Sequence, residues 1–268
     1  GVLDPFTFRA HLLIERIAPL WFISALAMVV VQSAADASVP PGRVLSSGLL
    51  GSAVGASESA RAWVVVAFCA AVLTVALRLT VRWDWHVALM IPAAVGAVAV
   101  PVTGNAGQGA DHDYATSAMI VFAIAFAVLA GIQLTTALIP AEPAARRRAG
   151  AVSAMAAAIA LPYGALLLFL MAGPANIVDT GYGRLGIMFA AALVSVLLIT
   201  LRQKRIDHDR IGLAGAVLPP AIGALIALAA VSAMAVQTAP RLLAEKPSIW
   251  DILLGYELPG SPTVAGLL

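Results

Sequence analysis

Charge is what this sequence has least of. Only 11% of its 268 residues are charged and 61% are hydrophobic, against about 25% charged in a soluble domain, and the mean hydropathy is +0.96. These values exclude an ordinary soluble globule and imply a polytopic membrane protein. Cysteine is nearly absent as well. A single Cys69 excludes an intrachain disulfide, and its place inside an apolar run makes a buried structural role the expectation. No phosphate-binding loop, Ser-His-Asp set, His-Glu-x-x-His or Cys-x-x-Cys pattern is present, so no enzyme is expected. The apolar runs hold few ionisable groups, with Gln32 and Gln133 as the main polar exceptions, which disfavours an ion-coupled pump. The net charge of +2 does not point to nucleic acid, because the basic residues are scattered over short loops between apolar segments. Gly1-Val-Leu-Asp-Pro has neither a charged n-region nor a cleavage motif, so the first apolar segment is expected to span and not to be a signal peptide.

What the chain does have is about seven stretches long enough to cross a hydrocarbon core of about 30 Å as helix. They are Ile17–Ala35, Ala62–Leu79, His86–Val102, Ala115–Leu138, Ala151–Met171, Leu185–Leu201 and Ile211–Val236. The runs are continuous and do not alternate, which favours an all-α bundle over a barrel. With the amino end cytoplasmic, Arg9, Arg16, Arg78, Arg82, Arg146, Arg147, Arg148, Arg202, Lys204, Arg205 and Arg210 fall inside, and only Arg43, Arg61, Arg184, Arg241 and Lys246 outside. The bias predicts amino end in and carboxyl end out. In the first outside loop Pro40-Pro41-Gly42 makes a turn and Val44–Ala56 is expected to lie along the interface as a short helix. Pro92, Pro162, Pro219 and Pro220 interrupt predicted spans, which bilayer proteins tolerate where neighbours satisfy the freed carbonyls. Residues 1–237 are expected to form the bundle. Residues 238–268 are Pro-rich and too polar to span, and are expected to be an extracytoplasmic linker toward a further domain, with Trp250 and Tyr256 as interfacial anchors.

The densest set of possible metal ligands is the Gly-rich loop between the third and fourth spans, which holds Asn105, Asp111, His112 and Asp113. Imidazole with carboxylates suits a first-row divalent cation, whereas Cu(I) prefers sulfur with imidazole. If a helix starts near His112, Met119 lies on the same face two turns deeper, and the two together suit a soft cation. The competing reading of the same residues is structural: Asp111 or Asp113 caps the helix, His112 is solvated and Met119 packs. His86, behind Arg82-Trp83-Asp84-Trp85, belongs to an interfacial aromatic belt; His208 sits in a charged turn and His11 in an amphipathic lead-in. None of the three is expected to be a site.

Gly104-Asn105-Ala106, Asp111-His112-Asp113, Ala115, Gly131, Tyr182-Gly183-Arg184-Leu185 and the tail Ile252-Leu-Leu-Gly-Tyr-Glu-Leu-Pro-Gly-Ser-Pro-Thr together resemble the copper resistance D membrane domain. The likeness is to the actinobacterial form fused to a cytochrome c oxidase assembly domain, and it covers the chain from about Ile17 to the end. It implies a multi-pass protein of the bacterial plasma membrane that handles copper on the way to terminal oxidase maturation, with oxidase subunits or assembly factors as partners besides the lipid bilayer. The family pattern is Gly-His-Ala, a second His, a His in the following helix and Trp-x-Gly, with a Lys after Tyr-Gly-x-Leu. Here Asn105, Phe122, Leu129 and Phe189 stand at the first His, the helix His, the Trp and the Lys, and only His112 keeps its imidazole. The resemblance therefore implies a degenerate copper site made of His112, Asp111, Asp113 and Met119. The alternative is a metal-free membrane scaffold that docks a partner within a larger complex.

Overall fold

The computed structural model describes residue 3 and residues 5–139, 142–203 and 213–243. Within these, the chain is an all-α bundle with seven helices long and apolar enough to cross a membrane. It is an integral membrane protein. The long helices are α1 (Pro5–Asp36), α4 (Glu58–Leu79), α5 (Trp83–Thr103), α6 (His112–Leu138), α7 (Pro143–Ala172), α8 (Gly181–Gln203) and α9 (Leu213–Ala235). Short α2 (Pro41–Ser46) and α3 (Leu50–Ala56) lie between α1 and α4, and α10 (Pro240–Leu243) follows α9. Helix is the form these runs take because each backbone donor finds its acceptor within the same segment, a condition lipid imposes.

Two local expectations need correction. The lead-in and first span are one helix beginning at Pro5 and running through Pro19. The predicted interfacial helix Val44–Ala56 is instead α2 and α3, separated at Ser47–Leu49, where Gly48 has φ +70°, a backbone region costly for other L residues. The expected helix-internal prolines Pro92, Pro162, Pro219 and Pro220 all lie inside continuous helices.

The bundle has two parts. α1 packs on α4 and α4 on α5, whereas α6 to α9 form a closed ring of four through the pairs α6 with α7, α7 with α8, α8 with α9 and α9 with α6; α5 and α6 join the two. Small residues set the ring's spacing: Ala157, Ala160, Ala227 and Ala230 are wholly buried, and a Cβ at Gly223 would lie 2.6 Å from Val196 Cγ2. Such close approach is how helices associate in lipid, where tails are as apolar as the side chains. Larger rings fill the ring's interior. Phe122 stacks on Phe126 at 5.8 Å between centroids, and Phe189 meets both edge-on at 5.4 Å.

Polar groups tie helix ends. Ser57 accepts from Ala60 N at 2.9 Å, capping α4, and its hydroxyl donates to Asp36, which also accepts from Gln32 Nε2 at 3.0 Å. The end of α1 is thereby fixed to the start of α4. Cys69 is a buried free thiol, as expected. The bundle carries the loop between α5 and α6 at one end and the 78–86 turn with the start of α1 at the other.

Candidate functional site

The α5–α6 loop is built around its glycines. After α5 the chain makes a 3-10 turn at Asn105–Gly107. A Cβ at Gly107 would meet Val102 O at 2.4 Å, and Gly109 has φ +82° with Leu242 Cδ2 only 2.5 Å from where a Cβ would stand. Glycine at 109 therefore serves both a left-handed turn and the seat of a side chain from α10.

The loop's polar residues divide between two tasks. Asn105 Nδ2 donates to Gln237 O at 2.8 Å, and Asn105 Oδ1 accepts from Ala239 N at 3.2 Å. Asp111 is 5% exposed and pairs with Arg241 at 3.2 Å, itself 10% exposed, while the Arg241 stem packs on Gly173, whose φ is +72°. Ala239 is wholly buried. Among the first residues of the expected linker, Ala239, Arg241 and Leu242 are thus packed on the bundle, while Leu243 is exposed; the residues from 244 on, with Trp250 and Tyr256, lie outside the described residues, as does His208. Asp111 occupies the N-cap position of α6 without a side-chain cap hydrogen bond, because its carboxylate is turned to Arg241. The alternative that Asp111 caps the helix is corrected by that ion pair.

His112 and Asp113 face the other way. Both are exposed, with His112 Nε2 3.2 Å from Asp113 Oδ1, and His112 Nδ1 lies 3.0 Å from Gly109 O. A carbonyl only accepts, so Nδ1 carries the hydrogen, which leaves Nε2 pointed at the carboxylate. A donor on Nε2 or a cation shared with the carboxylate would bridge that distance. A tetrahedral cation about 2.0 to 2.1 Å from each ligand would separate nitrogen and oxygen by about 3.4 Å, close to what is seen. Fixing a ring nitrogen by hydrogen-bonding the other to a carbonyl is also the usual support of a metal-binding imidazole.

On the Asp111 and Arg241 side of the loop is a cavity of about 380 Å³ lined by Gln108, Gly109, Asp111, Met171, Arg241 and Leu242, with Ala110 and Leu170 completing it. Met171, a core residue at the edge of this lining, was not among the residues expected from sequence. Met119, on the same helix as His112, is half-buried and packs against the core of the four-helix ring. Among the described residues no group of three or more His, Cys, Asp and Glu side chains is arranged to hold a metal ion. The structure thus brings His112 and Asp113 together, assigns Asp111 to Arg241 and leaves Met119 in the packing. Arg241 itself had no sequence signal beyond being a lone cation in an apolar Leu-Leu context.

The chain is 46% identical over its whole length to the uncharacterized protein Mb0105 of Mycobacterium bovis and, equally, to the uncharacterized protein MT0111 of Mycobacterium tuberculosis. It is 42% identical over 98% of its length to the uncharacterized protein ML1998 of Mycobacterium leprae. No protein-family model matches the chain, and no solved structure matches it. The chain spans about 40% of the length of each of these curated mycobacterial relatives.

Proposed function

We propose that this integral membrane protein takes part in copper handling linked to cytochrome c oxidase assembly, and that it works at its α5–α6 loop end without conducting copper through the bundle. The observation that carries the reading is the His112–Asp113 pair, an imidazole with its tautomer set by Gly109 O and its open nitrogen facing a carboxylate at 3.2 Å. Copper here is cargo. Two donors from adjacent residues, with solvent completing the set, hold such an ion for exchange, not storage. The likeness to the copper resistance D domain supports the choice of metal. The closed interior supports the absence of a conduit, since Phe122 and Phe189, at the family's His and Lys positions, fill the ring with carbon. The charge bias supports an outward-facing loop in the bacterial plasma membrane. Copper titration of the purified chain in detergent tests the proposal: an equivalent is expected that His112→Ala removes, and a stoichiometry unchanged by His112→Ala overturns it, as does no copper above a membrane-protein blank.

A second reading is favoured by a specific observation, the use of Asn105 and Asp111 to hold residues 237–241. On it the loop is a clamp and the chain a metal-free scaffold that presents a partner, an oxidase subunit or an assembly domain, in a fixed pose. His112→Ala then changes nothing, whereas Asp111→Ala releases the partner in co-purification.

A further inference from the structure

At the opposite end of the bundle, two histidines that no sequence pattern links stand in contact. His11 Nδ1 lies 3.0 Å from His86 Nε2, and His86 Nδ1 lies 2.8 Å from Arg82 O. The carbonyl settles the chemistry. His86 Nδ1 must donate to it, so in the neutral ring His86 Nε2 is a bare acceptor, and His11 Nδ1 must donate to that. His11 is 3% exposed, with the ring of Phe8 stacked at 6.2 Å. A buried imidazole is thus aimed at a second one whose tautomer is locked from behind.

We infer that this pair is a second transition-metal site, in which a cation that favours imidazole, such as Zn(II) or Cu(II), replaces the shared hydrogen between His11 Nδ1 and His86 Nε2. Two nitrogens bound at about 2.0 to 2.1 Å in tetrahedral geometry stand about 3.3 Å apart, so the rings need to separate by only a few tenths of an ångström. The step balances without redox chemistry. The His11 hydrogen moves from Nδ1 to Nε2 by way of solvent, the freed lone pair and that of His86 Nε2 form the two bonds, and the Nδ1–H to Arg82 O hydrogen bond persists as the outer support that such ligands carry.

The charged surroundings permit this. Glu15 is one turn along α1 on the face of His11, and its contact with Arg78, 3.9 Å long, is weak enough to give up for a third ligand position, with water in the fourth. Arg82 is matched by Asp84 at 3.0 Å. Arg9 and Arg16 are the remaining cations near this turn of α1. His86 is only half-buried, which leaves a path for the ion.

The test uses the full chain in detergent with His112→Ala in place, so that the loop is silent, and Cu(II) as the probe. One equivalent is expected, with an electron paramagnetic resonance spectrum showing two coupled nitrogens, and it is expected to disappear in His112→Ala/His86→Gln and in His112→Ala/His11→Ala. The Gln carbonyl still accepts from His11 Nδ1, so that variant is expected to stay monodisperse while losing the ion. Absence of copper from the His112→Ala protein overturns the inference, and so does a bound equivalent that survives His86→Gln. The single variant His86→Gln reports on the loop alone, so failure at one end is told apart from failure at the other.

Discussion

Arg241 Nη2 lies 3.2 Å from Asp111 Oδ2, and the two side chains are 10% and 5% exposed. A pair so sheltered has lost most of its hydration, so the attraction between its members matters chiefly in what happens when one is removed.

Asp111→Ala leaves a guanidinium buried beside an apolar seat and is expected to destabilise the chain by about 3 kcal/mol. The double change Asp111→Ala/Arg241→Met removes both charges and is expected to recover most of that loss. Thermal unfolding in one detergent distinguishes the two. Equal stability of single and double variants would show that the pair is not coupled.

The docking of residues 237–243 has two further supports, and they are expected to fail differently. Asn105→Ala leaves Gln237 O and Ala239 N without their amide partner, a loss of about 1 to 3 kcal/mol for buried groups. Gly109→Ala keeps every hydrogen bond but strains a φ of +82° and pushes on Leu242. Limited proteolysis is expected to cut near residue 240 faster in both, while copper binding at His112 is disturbed only by the change at 109, whose carbonyl holds the ring.

Two helix glycines with opposite surroundings form a paired experiment. A Cβ at Gly164 would lie 3.1 Å from Phe122 and 3.2 Å from Phe189, whereas none of the surrounding atoms comes within 4 Å at Gly131. Gly164→Ala is expected to cost about 1 to 3 kcal/mol by overpacking the aromatic cluster. Gly131→Ala is expected to be neutral or to stabilise by about 0.5 to 1 kcal/mol, since alanine suits helix better. Unfolding midpoints of the two variants check the order.

Asp113→Asn keeps the shape of the exposed pair and removes its charge. Copper affinity at the loop is expected to fall, though less than in His112→Ala, and the unfolding midpoint to stay unchanged, because exposed ion pairs contribute about 0 to 1 kcal/mol. An affinity equal to that of the parent protein would remove Asp113 from the site.

The legible parts of the site were local ones. The start of α6 at His112, the exposure of His112 and the burial of Cys69 follow from neighbours in the chain, and the glycines of the loop announced a tight turn. Partners at long range were not legible. Asp111 looked like a metal ligand or a helix cap until Arg241 was placed against it, and His11 and His86 looked like unrelated residues near an interface, 75 positions apart.

By itself, the sequence determined that this chain is an all-α membrane protein with about seven runs long enough to span, because an uninterrupted apolar run of about 20 residues can hide its backbone from lipid only as helix. What only the tertiary structure decided is which face of each helix turns inward. Apart from α8, the spans are apolar all round and rich in alanine, so no amphipathic stripe marks the interior. The rotation of each helix is set instead by where small residues let neighbours close in, Gly164 beneath the rings of Phe122 and Phe189 and Gly223 against Val196. That packing brings Arg241 to Asp111 and His86 to His11, and so decides which polar groups far apart in the chain meet one another.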